Sequence, residues 1–125
     1  MHEKRRWPRY DITPIPSVTA TIATIEAPTR LGTIGMGGCG IWIDAPAAPL
    51  TAGQEIQCSI SFEGILPRSL EITGTVQYLR AMERDKKNYL YCGIEFKPGF
   101  EDRMAPVIRQ LEKLEKLGRI LIAVD

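Results

Sequence analysis

Residues 55–62 alternate without a break: Ile56, Cys58, Ile60 and Phe62 stand against Glu55, Gln57, Ser59 and Ser61. A period of two predicts a strand with one dry face and one wet face. The same period runs through Leu70, Ile72, Gly74, Val76 and Tyr78, so residues 69–80 read as a second strand, with Gly74 marking a bulge or bend. The polar run Glu83–Asn88 reads as a hairpin turn, and Tyr89–Phe96 as the return strand. Upstream, residues 17–26 are rich in β-branched side chains and read as a strand that Pro28 ends. Residues 30–43 form a β region interrupted by glycines, in which Cys39, Ile41 and Ile43 share one face and Gly40, Trp42 and Asp44 the other. Residues 45–53, with two prolines and a glycine, read as a loop.

The period changes after residue 100. Met104, Val107, Ile108, Leu111, Leu114 and Leu117 recur at intervals of three and four, which marks one face of a helix over 101–117. Pro106 is tolerable near the first turn, and Gly118 is a natural stop. The tail 119–125 holds an apolar stretch, Ile120–Val124, which reads either as a short extra strand or as a patch packing on the barrel or a partner. The expected fold is mainly β: a six-stranded antiparallel barrel over 17–96 with a C-terminal helix, preceded by a basic arm, 1–16, in one domain of 1–125.

Composition changes the picture mainly by exclusion. Sixteen basic residues against fifteen acidic ones leave +1, which argues against binding to duplex nucleic acid. No apolar run is long enough for a membrane span, and the charged N-terminus lacks the apolar middle of a secretory signal. Cys39, Cys58 and Cys92 lie far apart in apolar surroundings, the pattern of reduced core thiols in a cytoplasmic protein. His2 is the only histidine, so neither a nucleophile–histidine pair nor a histidine metal site is expected, and nothing points to an enzyme. The helix leaves monomer and homodimer both open.

Two stretches carry candidate chemistry. Gly35-Met-Gly-Gly-Cys-Gly40 matches G-x-G-x-x-G, but Ile41-Trp-Ile43 and two prolines follow where a dinucleotide site needs a helix. The stretch reads as a tight bend, or as a cradle of exposed amides for an anion. Arg5-Arg6-Trp7-Pro8-Arg9 sets three guanidiniums within five residues. These are planar donor forks for phosphate and guanine edges, and faces that stack on purines. Tyr78, Tyr89 and Tyr91 are alternative stacking platforms for single-stranded nucleic acid, or core and barrel-surface residues.

The order of these features resembles the PilZ domain, a bacterial receptor module for cyclic di-GMP. The resemblance runs from Arg5-x-x-x-Arg9, through the glycine turn ending Gly38-Cys-Gly-Ile-Trp42, to Tyr91-Cys-Gly-Ile-Glu-Phe96 and the Glu101-Asp-Arg-Met104 helix start. It implies a barrel with a C-terminal helix and no cofactor beyond the ligand. It also implies that Arg5 and Arg9 grip phosphates and guanine faces, with Arg6 a further phosphate contact and Trp7 packing on a base or anchoring the arm. The family's second motif, Asp/Asn-x-Ser-x-x-Gly, falls on Thr33-Ile-Gly35-Met-Gly-Gly38, where only the last glycine is kept. A lost charged acceptor costs about 1.5–3 kcal/mol, roughly ten- to a hundredfold in affinity. Two readings follow from the resemblance. One is a receptor whose ligand contacts are Arg5, Arg6, Arg9, Thr33, Gly35 and Gly38, acting on an unidentified effector protein of a motor, a pilus or a regulatory pathway. The other is a degenerate domain that no longer binds cyclic di-GMP and serves protein–protein contact.

Overall fold

The computed structural model describes residues 8–66 and 69–123. The expected strands form one antiparallel sheet, extended by a short strand on each side of the chain's core region. In chain order the elements are β1 (Arg9–Asp11), β2 (Val18–Ile22), β3 (Thr29–Gly35), β4 (Gly38–Ile43), β5 (Glu55–Phe62), β6 (Ser69–Arg84), β7 (Lys87–Phe96), α1 (Glu101–Lys116) and β8 (Leu121–Ile122). They lie side by side as β2-β5-β6-β7-β4-β3-β1-β8. Strands β2 to β7 are those of the expected barrel, but β1 and β8 add to one edge, so the sheet has eight strands and no ladder closes it. At the open seam β2 and β3 meet through a side chain, with Thr29 Oγ1 donating to Ala20 O at 2.5 Å.

The two additional strands come from segments read as arm and tail. β1 pairs with β3, setting Arg9 opposite Gly35, Tyr10 opposite Ile34 and Asp11 opposite Thr33. β8 then pairs with β1, and Ala123 N–H donates to Arg9 O at 2.7 Å. Strands of two or three residues are too short to show a period, so alternation could not reveal them. Residues 17–26 also do not run as one strand. β2 stops at Ile22, where Ile25 N–H turns back to Ile22 O and the chain reverses into β3 across the seam.

The inner face carries the core. Ile56, Cys58, Ile60 and Phe62 are buried as their alternation predicts, as are Cys39, Ile41 and Ile43. α1 covers this face with Met104, Val107, Ile108 and Leu111. The apolar helix face ends one turn earlier than its sequence period: Leu114 is half-buried, and Leu117 is 72 % exposed. Glu101 and Asp102 in the first turn and Lys113 and Lys116 in the last complement the helix dipole. Pro106 lies inside the helix, where it removes one backbone bond, and burial of the flanking residues holds the turn. The helix ends at Gly118, whose φ of +73° suits glycine. Its N–H donates to Glu115 O and that of Arg119 to Leu114 O, a Schellman closure.

Candidate functional site

Two bulges build the outer face of the sheet. In β6 the ladder to β7 shifts between Val76 and Tyr78. Gly74, the expected bulge, sits in regular register between Ile56 and Phe96, so the bulge lies at Gln77 instead. Before it, Ile72 and Val76 point inward. After it, Leu79 and Ala81 stand opposite the inward Cys92 and Leu90, and Tyr78 and Arg80 turn outward. Tyr78 therefore does not share the face of Val76, as unbroken alternation predicts. The extra residue reverses the parity. A second shift between Leu31 and Thr33 lets Leu31 and Ile34 both point inward, leaving Thr33 and Gly35 on the outer face.

These reversals gather aromatic rings from β4, β6 and β7. Trp42 meets Tyr91 edge to face at 4.7 Å between centroids and 61°, and meets Tyr89 at 6.2 Å and 84°. Tyr78 lies 6.3 Å from Tyr91. Glycines seat the rings. Gly40 and Gly93 face each other across β4 and β7, and a Cβ on either would fall inside the ring system of Tyr91 or Tyr78 respectively. Arg80 stacks over Tyr78 with its guanidinium carbon 5.2 Å from the centroid. The hydroxyls of Tyr91 and Thr33 share a hydrogen bond of 3.2 Å. Burial pushes the Tyr91 phenol above its ordinary pKa, while the Thr33 bond and the nearby Arg9 charge pull the other way.

Arg9 enters this face from β1. Its side chain lies along two glycines: a Cβ on Gly35 would stand 3.1 Å from Arg9 Cγ, and one on Gly38 would stand 2.7 Å from Arg9 Nη2. The structure thus brings together four of the expected contacts, Arg9, Thr33, Gly35 and Gly38. They meet beside Tyr91, which the sequence reading placed only as a stacking or core residue. Arg5, Arg6 and Trp7, the rest of the basic arm, lie outside the described residues. Thr33 stands where an acceptor was expected, and its hydroxyl is already engaged by Tyr91. Asp11, opposite Thr33 in the ladder, accepts from Thr13 N–H at 2.9 Å and Thr13 Oγ1 at 2.6 Å. Tyr78, Tyr89 and Tyr91 were legible as stacking candidates, but not their gathering around Trp42 into one patch. Its signal, a glycine at the register position beneath each ring, needs the pairing to be known.

Among the described residues no group of three or more His, Cys, Asp or Glu side chains is placed to hold a metal ion. Among them, too, no helix is long and apolar enough to cross a membrane. The three cysteines are buried and free, on the inner side of the sheet.

No family model matches the sequence, and no curated protein matches it. Solved structures do. The PilZ domain of YcgR from Escherichia coli, solved with c-di-GMP, superposes with a TM-score of 0.71 over 93 % of this chain and 98 % of its own, at 17 % identity. The fold is that of a PilZ domain. The K. pneumonia MrkH–c-di-GMP complex matches this PilZ-like fold with a TM-score of 0.76 at 15 % identity, over 95 % of this chain. The Bacillus subtilis inhibitor of motility, MotI/DgrA, matches at 0.61 and 20 % over 90 % of this chain. The chain spans only about half of those last two proteins, 56 % and 54 % of their lengths. At these identities the likeness is one of fold, and the site is argued from its own side chains.

Proposed function

We propose that this domain is a receptor for cyclic di-GMP whose ligand lies on the outer face of the sheet, between Arg9 and the aromatic patch. One observation carries the reading. The arginine expected to grip the ligand lies along Gly35 and Gly38 and next to Thr33 and Tyr91, on the open face of a PilZ-like fold. A guanidinium offers paired donors to a phosphate, and the rings beside it offer apolar faces to a purine. The ligand has both groups. Arg5 and Arg6, four and three residues before Arg9, would add donors from the arm. Two of the similar structures contain c-di-GMP, which supports this ligand over other anions. The domain is not an enzyme in this reading. It responds to a bacterial second messenger in the cytoplasm and passes the signal to an effector protein through the rearranged arm.

A ligand-free interaction module is the second reading. Thr33 favours it, since its hydroxyl is bonded to Tyr91 where a free acceptor was expected. So do the exposed Leu117, Leu121 and Ile122 near the C-terminus, at 72 %, 67 % and 47 % exposure.

Calorimetric titration with cyclic di-GMP, with GTP as the control, separates the two. Saturable binding is expected, weakened at least tenfold in Arg9→Ala with an unchanged melting temperature. A folded protein that shows no heat of binding at high ligand concentration overturns the receptor reading.

A further inference from the structure

The outer face has a second cationic end that the Arg9 site does not use. Beyond Trp42, between the start of β3 and the β6–β7 hairpin, lies a cleft of about 620 Å³. That is within the size range of small-molecule sites. Arg30 from β3 and Arg84 from the end of β6 line it, Trp42 and Tyr89 supply its aromatic wall, and Asp44 and Asp85 its carboxylates.

The polar groups of the cleft are already sorted. Asp44 is neutralised by Lys87, whose Nζ lies 3.0 Å from the carboxylate and 5.5 Å from the Tyr89 ring centre. Arg30 Nη2 donates to Thr13 O at 3.0 Å, which fixes the guanidinium while using one of its five N–H donors. Arg84 and Asp85 flank the hairpin tip, where Asp85 and Lys86 take positive φ of 53° and 65°. That tight two-residue turn holds both side chains against the cleft. Two guanidiniums beside a Trp–Tyr wall recognise a phosphate attached to a planar base. Asp85 adds the carboxylate acceptor for base N–H groups that the Thr33 stretch lacks.

Trp42 joins the two ends, since its ring meets both Tyr91, beside Arg9, and Tyr89, in the cleft wall. Along β4, four residues separate Gly38, which Arg9 covers, from Trp42. At about 3.3 Å per residue that is roughly 13 Å from the Arg9 site to the near wall of the cleft, a reach on the scale of a dinucleotide rather than of a single nucleotide. We infer that the Arg30–Arg84 cleft is a second subsite, which takes the other base-and-phosphate half of the cyclic dinucleotide held at Arg9, with Trp42 packed between the halves. This rests on the receptor reading above.

The test is titration of the full chain with cyclic di-GMP in five forms: wild type, Arg9→Ala, Arg30→Ala, Arg84→Ala and the Arg9→Ala/Arg84→Ala double variant. A melting curve on each checks the fold. Arg84 is exposed and has no part in the core, so its variant should melt as the wild type does. The expected result is a loss of affinity of at least fivefold in Arg30→Ala and in Arg84→Ala, with the Arg9→Ala/Arg84→Ala double variant weaker than either single one. Wild-type affinity in both cleft variants, beside a tenfold loss in Arg9→Ala, overturns the second subsite and leaves the receptor reading standing. A folded wild type that does not bind removes both.

Discussion

A methyl group on residue 40 would have nowhere to go, because its position falls inside the Tyr91 hydroxyl. The ring can answer only by leaving its seat, and with it the bond to Thr33 Oγ1 and the edge contact with Trp42. Gly40→Ala should therefore cost about 1–3 kcal/mol, the usual range for overpacking a close contact. Urea unfolding measures it. Steric origin has a specific signature: the same change made in a Tyr91→Ala background should cost far less, since the clash is gone. Equal costs in both backgrounds would mean that the glycine is needed for some other reason. At this scale the sequence was half legible. Arg9, Thr33, Gly35 and Gly38 follow from the resemblance and do meet. Tyr91 and Gly40 could not be paired in advance, because nothing in either residue names its partner across the ladder.

Whole elements were legible where one rule acted alone. β5 alternates cleanly because both its neighbours pair with it in regular register. β6 does not, because its bulge arises from the count of residues on β7 and leaves no mark in its own composition. The helix itself was read to within one residue, but its apolar face was read one turn too far for a similar reason. Leu117 keeps the period, but the sheet beneath it has ended, so the side chain points to water. What stops the helix is local and was visible. Gly118 closes it with φ +73° and two reversed bonds to Glu115 O and Leu114 O. A Cβ in that left-handed conformation costs about 1–2 kcal/mol. Gly118→Ala should lower the free energy of unfolding by that amount, read as a drop in the urea midpoint at an unchanged slope. An unchanged midpoint would show that the last turn can be remodelled at no cost.

For the molecule as a whole, the resolved titration shifts share one direction. Among the described residues they are all upward. Burial raises Cys58 to about 12 and Cys92 to about 11, and lifts Cys39, Tyr10 and Tyr91 as well. Lys87 rises through its bond to Asp44, fully at the surface. The thiols come from β4, β5 and β7, so all three ionise freely only when the sheet opens. In the unfolded chain a thiol loses its proton near pH 9. Below that pH both states hold the proton, and the contribution of these groups is complete. Above it the unfolded state releases protons that the folded state retains, so stability falls as pH rises from 9 toward 11 or 12. Each buried thiol contributes up to about 1.4 kcal/mol per pH unit to that fall. The expected observation is a melting temperature that drops steeply between pH 9 and 11. Cys58→Ala and Cys92→Ala together should flatten the drop, because each removes one proton from the difference between the states. A slope unchanged by both substitutions would place the alkaline weakness in the phenols and in Lys87. The same packing protects the thiols from reagents, so their modification at pH 8 should follow the opening of the sheet and not surface exposure.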